Sequence, residues 1–148
     1  MTTAWNDTER SAWWALLRSS TLLVRSLGHD MRVDGLPFEW FDVLVNVAQY
    51  PQSVMPLSAL ADNVALTRSG LTRLLDRMVA AGFIERRLSE TDRRRFDVLL
   101  TEAGRKEFAR VWPRHQAAVR ERYLRHLTED EMVQVHRALA KVVSANED

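Results

Sequence analysis

Between Leu57 and Gly82 the apolar residues fall on two short helical stripes separated by three residues. Leu57, Leu60, Ala61 and Val64 recur at i, i+3, i+4 and i+7, one face of a helix. Leu71, Leu74, Leu75, Met78 and Val79 repeat the pattern over a second helix. Ala65-Leu66-Thr67 stand between them, and the Thr67 hydroxyl is suited to accept a bond from a free first-turn N–H. The second helix turns Arg68, Ser69, Thr72, Arg73, Asp76 and Arg77 away from its apolar stripe. Gly70, at its start, permits close backbone approach. An apolar-backed helix held by a shorter one, with hydrogen-bond donors outward, is physically a helix-turn-helix. The same pattern also fits an ordinary amphipathic helix pair with a solvated polar face.

The residues after Arg77 favour the helix-turn-helix. Gly82 is suited to end the second helix as its C′ residue. The periodicity then changes: Phe83 to Arg87 and Phe96 to Leu100 are short segments rich in aromatic and branched residues, as strands are. The polar stretch Leu88 to Arg95 between them makes a hairpin with a basic tip. A hairpin placed directly after a recognition helix is a wing, and arginines at its tip suit the negative potential of a narrow minor groove. Arg86, Asp92, Arg93, Arg94 and Arg95 are the candidate wing residues. On the helix, the candidates are Thr67, Arg68, Ser69, Gly70, Thr72, Arg73 and Arg77. Arg73 points outward toward a base edge or phosphate. Arg77 is placed either to pair with Asp76 or to contact the DNA backbone.

Charge is distributed accordingly. From Thr67 to Arg95 there are eight arginines and four acids, a local +4 in a chain whose total is +1. Basic charge therefore concentrates where nucleic-acid binding needs it. Composition excludes other classes. There is no cysteine, so thiolate catalysis, disulfides and cysteine metal sites are out. The four histidines show no metal-ligand spacing, and neither a metal nor a cofactor is expected. No phosphate-binding glycine loop or GxSxG motif is present, and the chain is not expected to be an enzyme. No apolar run reaches the roughly 20 residues that span a bilayer, and the N-terminus lacks the order of a signal peptide. No membrane association is expected, and a cytoplasmic location is.

The remaining residues read as helices. One runs from about Thr8 to Met31, with Trp13, Leu16, Leu17, Leu23, Val24 and Leu27 apolar and Trp14 and Leu22 widening the stripe. Leu36-Pro37-Phe38 opens another, which Pro51 ends, and residues 52–56 read as a loop. Thr101 is the expected N-cap of a helix through Phe108, Trp112 and Tyr123, with Pro113 inside it. Thr128 to Glu131 fits a capping box ahead of a last apolar stripe from Met132 to Val143. The terminal helices carry more apolar surface than a winged domain of this size covers, which points to dimerisation. The expected fold is thus mainly α with a small β-hairpin wing: a winged helix-turn-helix with N- and C-terminal dimerisation helices. The expected segments are residues 1–36 for the N-terminal dimerisation helix, 37–104 for the DNA-binding domain and 105–148 for the C-terminal dimerisation helices. A two-fold protein suits a palindromic double-stranded operator. The alternative function is a winged-helix module for protein–protein contact that reads no operator.

Trp13, Trp14, Trp40 and Trp112 are candidates to line a pocket for an aromatic ligand between the dimer helices and the DNA-binding lobe. Arg18 and His115, with His29, are candidate polar groups for an anion. The same aromatic residues at helical spacing also fit plain core.

In this order, the sequence resembles the MarR family of bacterial winged helix-turn-helix regulators. Residues 66–77, LTRSGLTRLLDR, are similar to the family's recognition helix, and residues 81–86, AGFIER, to its turn into the wing. Asp92-Arg93-Arg94 and residues 98–104, VLLTEAG, are similar to its wing and exit. The resemblance implies a homodimer on a palindromic operator, a transcriptional regulator and usually a repressor, often released by a small aromatic or phenolic anion. It also implies that Asp92 holds Arg94, the arginine of the wing that enters the minor groove.

Overall fold

The computed structural model describes residues 4–33, 35–64, 66–90, 92 and 94–146. The chain divides into two compact units, Gly28–Pro113 and a second made of Met1–Leu27 with Arg114–Asp148. Six α-helices and three strands are described: α1 (Asp7–Val33), α2 (Phe38–Gln49), β1 (Val54–Pro56), α3 (Leu57–Asn63), α4 (Arg68–Ala80), β2 (Ile84–Leu88), β3 (Phe96–Leu100), α5 (Glu102–Arg122) and α6 (Glu129–Ser144). The mainly helical fold with a small winged sheet is the one expected from sequence.

In Gly28–Pro113 the apolar stripes of the sequence meet in one core. Phe41, Val43, Leu44 and Val47 of α2 pack with Leu60 of α3, Leu71, Leu74, Leu75 and Met78 of α4, and Ile84, Val98 and Leu100 of the sheet. Shortening a fully buried member such as Leu75 to Ala costs about 2–5 kcal/mol through lost burial and the cavity left behind.

The sheet departs from expectation. Residues 54–56, read as loop, form a third strand, and the order is β1-β3-β2 with both pairings antiparallel. Val54, Met55 and Pro56 stand opposite Leu99, Val98 and Asp97. Three residues are too few to show a period, and β1 exists only through its pairing with β3. Pro56 is tolerated because it lies at the end of an edge strand. The bend into β1 is made by Pro51, Gln52 and Ser53, where the Ser53 N–H donates to the Tyr50 carbonyl at 2.8 Å and Gln52 and Ser53 hold φ of 57° and 54°.

The wing exit is fastened to the turn that follows α4. The Thr101 N–H donates to the Phe83 carbonyl at 3.1 Å, and the Thr101 hydroxyl donates to the Gly82 carbonyl at 2.5 Å while accepting from the Gly104 N–H at 3.0 Å. A Cβ on Gly104 would lie 2.0 Å from the Phe83 carbonyl oxygen. Only glycine allows α5 to start there.

The second unit holds most of α1, the C-terminal part of α5, a 3-10 turn at Leu124–His126 and α6. Asn6 and Glu9 bond reciprocally to each other's backbone N–H at the start of α1, at 2.9 and 2.8 Å. Asn6 followed three residues later by Glu9 fits the sequence signature of a helix start, a signal that the expected start at about Thr8 did not use. The capping box at Thr128 and Glu131 forms as expected. Trp13, Trp14, Leu22 and Val24 of α1 and Val133, Val142 and Val143 of α6 are exposed. Among the described residues, no helix is long and apolar enough to cross a membrane.

Candidate nucleic-acid interface

The interface is built on α4. The Thr67 hydroxyl accepts from the Gly70 N–H at 3.1 Å, the N-cap expected from sequence. A Cβ on Gly70 would come within 3.1 Å of that same oxygen, so glycine leaves the cap room to close. At the other end Gly82 adopts φ 77°. The Phe83 N–H reaches the Met78 carbonyl at 3.0 Å and the Gly82 N–H the Val79 carbonyl at 2.9 Å, a Schellman ending that satisfies the last free carbonyls. Between these ends Leu71, Leu74, Leu75 and Met78 are buried, while Arg68, Ser69, Thr72, Arg73, Asp76 and Arg77 are exposed.

Those outward side chains divide by what they already hold. The Thr72 hydroxyl donates to the Arg68 carbonyl at 2.9 Å, and Ser69 and Thr67 share a hydroxyl contact at 3.3 Å. Arg77 lies over the Trp40 ring, 5.8 Å from its centroid, rather than pairing with its neighbour Asp76. Asp76 pairs instead with Arg86 of β2. The Arg68 and Arg73 guanidiniums hold no ion pair or hydrogen bond among the described residues.

The wing tip closes through Asp92. Ser89 N–H donates to the Arg95 carbonyl and Arg95 N–H to the Asp92 carbonyl, both at 2.9 Å. The Asp92 carboxylate accepts the Arg94 backbone N–H at 3.0 Å and pairs with the Arg95 guanidinium at 3.1 Å. This corrects the expected pairing. Asp92 holds Arg94 by its backbone, and the guanidinium it fixes is that of Arg95. A carboxylate two residues before an amide is placed to make this turn bond. The Arg94 side chain is left exposed, without a partner among the described residues. Arg93 lies outside the described residues. Arg87 approaches Glu90 at 3.9 Å, the outer limit of an ion pair.

Helix and wing flank one open cleft of about 460 Å³, lined by Leu57, Ser58, Arg68, Thr72, Arg94 and Phe96 among others. The two candidate sets thus border a single concave surface within one unit.

The six residues considered for an aromatic ligand distribute differently. In Gly28–Pro113, Trp40 packs edge-on against Phe83 at 5.6 Å, and Trp112 stacks with Phe41 at 6.4 Å and packs on Phe108 at 5.1 Å. Both join the aromatic packing around the core. In the other unit, Trp13 packs edge-on against Trp5 at 6.1 Å, Trp14 is exposed, and Arg18 lies on α1. His115 lies on α5, where burial pushes its imidazole pKa below the ordinary value. Among the described residues no group of His, Asp and Glu is placed to hold a metal ion.

Residues 34–95, which contain α2 through the wing tip, match the model of the MarR family. AbsC, a MarR family transcriptional regulator from Streptomyces coelicolor, is 30% identical in sequence, and the alignment covers 97% of both chains with a TM-score of 0.86. The chain belongs to the MarR family. MarR family proteins are transcription regulators, not enzymes. Over 93 residues the chain is 33% identical to the HTH-type transcriptional repressor MdtR of Bacillus subtilis. That stretch is 63% of this chain and 59% of MdtR, somewhat over half of its length. Another MarR family regulator of S. coelicolor, Sco3205, solved in complex with DNA, shares the fold at a TM-score of 0.87 and 24% identity, over 100% of this chain and 93% of its own.

Proposed function

We propose that this MarR family chain is a cytoplasmic homodimer that reads a palindromic operator and represses transcription until a small aromatic or phenolic ligand releases it. The observation that carries DNA reading is the set of exposed guanidiniums of Arg68 and Arg73 on α4 and Arg94 at the wing tip, unpaired among the described residues. Arg68 and Arg94 line one cleft within one unit, and Arg73 lies on the same helix. Cations kept free of internal partners suit phosphate and guanine recognition. In this reading α4 enters the major groove and Arg94 the adjacent minor groove. Sco3205 was solved in complex with DNA, and MdtR is named a repressor; both support the assignment. The dimer is supported by the exposed apolar residues of α1 and α6 and by the symmetry of a palindromic site. The ligand rests on the family resemblance. Trp40 and Trp112 already serve the core, so a ligand would have to compete with that packing or use Trp13 and Trp14.

The test is a fluorescence-anisotropy titration against the DNA immediately upstream of the chain's own gene, at two salt concentrations. Saturable binding that weakens steeply with salt, at two protomers per duplex, is expected. Affinity equal to that for random DNA would overturn operator reading at that site. Adding a hydroxybenzoate to the preformed complex tests release directly, and an unchanged anisotropy counts against that ligand class.

A further inference from the structure

Arg86 lies between the helix and the tip, and its surroundings differ from those of the tip arginines. In β2 the residues alternate: Ile84 is buried, Glu85 exposed, Arg86 half-buried, Arg87 exposed. Opposite them on β3 stand Leu100, Val98 and Phe96, paired with Ile84, Arg86 and Leu88. Arg86 therefore lies on the sheet face that continues the core, not on the face of Glu85 and Arg87. Its side chain is 28% exposed and ends on the carboxylate of Asp76, which is 55% exposed. Asp76 is the only acid in α4, on a surface proposed to meet phosphates. An unpaired carboxylate there would repel DNA. The next residue, Arg77, reaches the other way, over Trp40 of α2, and Trp40 packs on Phe83. Asp76 and Arg77 thus fasten the C-terminal half of α4 to the wing on one side and to α2 on the other.

We infer that Asp76 and Arg86 form a positioning brace that sets the wing against the recognition helix, and that Arg86 acts through Asp76 rather than on DNA. This rests on the DNA-reading function proposed above. Helix and wing must enter neighbouring grooves together, so operator affinity depends on their relative placement. The brace supplies it while neutralising the one acid of the helix.

The experiment uses the full-length chain and a duplex that the wild type selects from a random-sequence pool. Binding of Asp76→Asn, Arg86→Gln and the double variant is measured over a range of salt. Each single variant is expected to weaken binding about three- to fivefold, as loss of a partly exposed ion pair would. The double variant should be no weaker than the weaker single, and the slope of affinity against salt should stay that of the wild type. The swap Asp76→Arg with Arg86→Asp should regain most of the affinity; if the swap does not fold, the double variant decides alone. A brace is overturned if Arg86→Gln lowers the salt slope by about one, as loss of a phosphate contact does, while Asp76→Asn tightens binding. Additive losses, or no loss in either single variant, overturn it equally. Failure of the wild type to enrich any duplex would instead overturn the DNA-reading function itself, and the brace with it.

Discussion

At the scale of single residues, the interface separates side chains that serve the fold from those left for a partner. Arg94 is exposed and, among the described residues, held only through its backbone, by Asp92. Replacing it with Ala should therefore leave thermal unfolding within about 0.5 kcal/mol of wild type. Operator binding should weaken by roughly 1–3 kcal/mol, about five- to 150-fold. Anisotropy and melting on the same preparation check both halves, and unchanged affinity would remove the wing from the mechanism. Gly104 is the opposite case. A Cβ there would lie 2.0 Å from the Phe83 carbonyl oxygen, so the start of α5 depends on its absence. Gly104→Ala should destabilise the chain by about 1–3 kcal/mol, as overpacking does, measured by denaturant unfolding. Because Phe83 also anchors Thr101, that variant should weaken operator binding as well.

At the scale of elements, helix ends decide where the recognition machinery begins and stops. Thr67 opens α4 and the Gly82 turn closes it, which is why the helix spans residues that the sequence pattern located closely. Periodicity and capping are local, so both were legible. The capping box of α6 adds a pH dependence. Bonds from the Thr128 backbone and hydroxyl hold the Glu131 carboxyl below its ordinary value of 4.5. A depressed carboxyl contributes its stabilisation fully above that ordinary value and loses it as pH falls through the folded value. The start of α6 should therefore fray in acid, below about pH 4.5. In Glu131→Ala the difference in helical circular dichroism from wild type should be present at neutral pH and vanish in acid. A difference that persists at low pH would show that the carboxylate is not what holds the turn. β1 was not legible at this scale, because nothing within Val54–Pro56 specifies a strand without the partner residues Asp97–Leu99.

At the scale of the whole molecule, the apolar residues exposed on α1 and α6 are the surface proposed to meet a second copy. Large exposed apolar patches are rare on a monomer and mark interaction sites. Removing residues 1–20 takes Trp13, Trp14 and Leu16 with it. The shortened chain is expected to be monomeric or insoluble by sedimentation and light scattering, and to lose operator affinity because it engages one half-site at a time. A soluble dimer from that chain would place the dimer seam elsewhere.

The sequence alone determined whatever depends on near neighbours along the chain. That includes two amphipathic helices with a capped turn, a glycine that ends the second, alternating segments for a wing, and a cluster of arginines over one stretch. These signals are local in period, cap and charge, and they suffice to bring out the likeness to the MarR family. The tertiary structure decided the destinations of the charged and aromatic side chains. Arg86 went to Asp76, ten residues earlier. Arg77 went to Trp40 on another helix. Asp92 took the guanidinium of Arg95 and only the backbone of Arg94. Trp40 and Trp112 went to core packing. A long side chain pairs with whatever the fold brings within a few ångströms, and that choice is made by helix and strand placement, which no period in the sequence encodes.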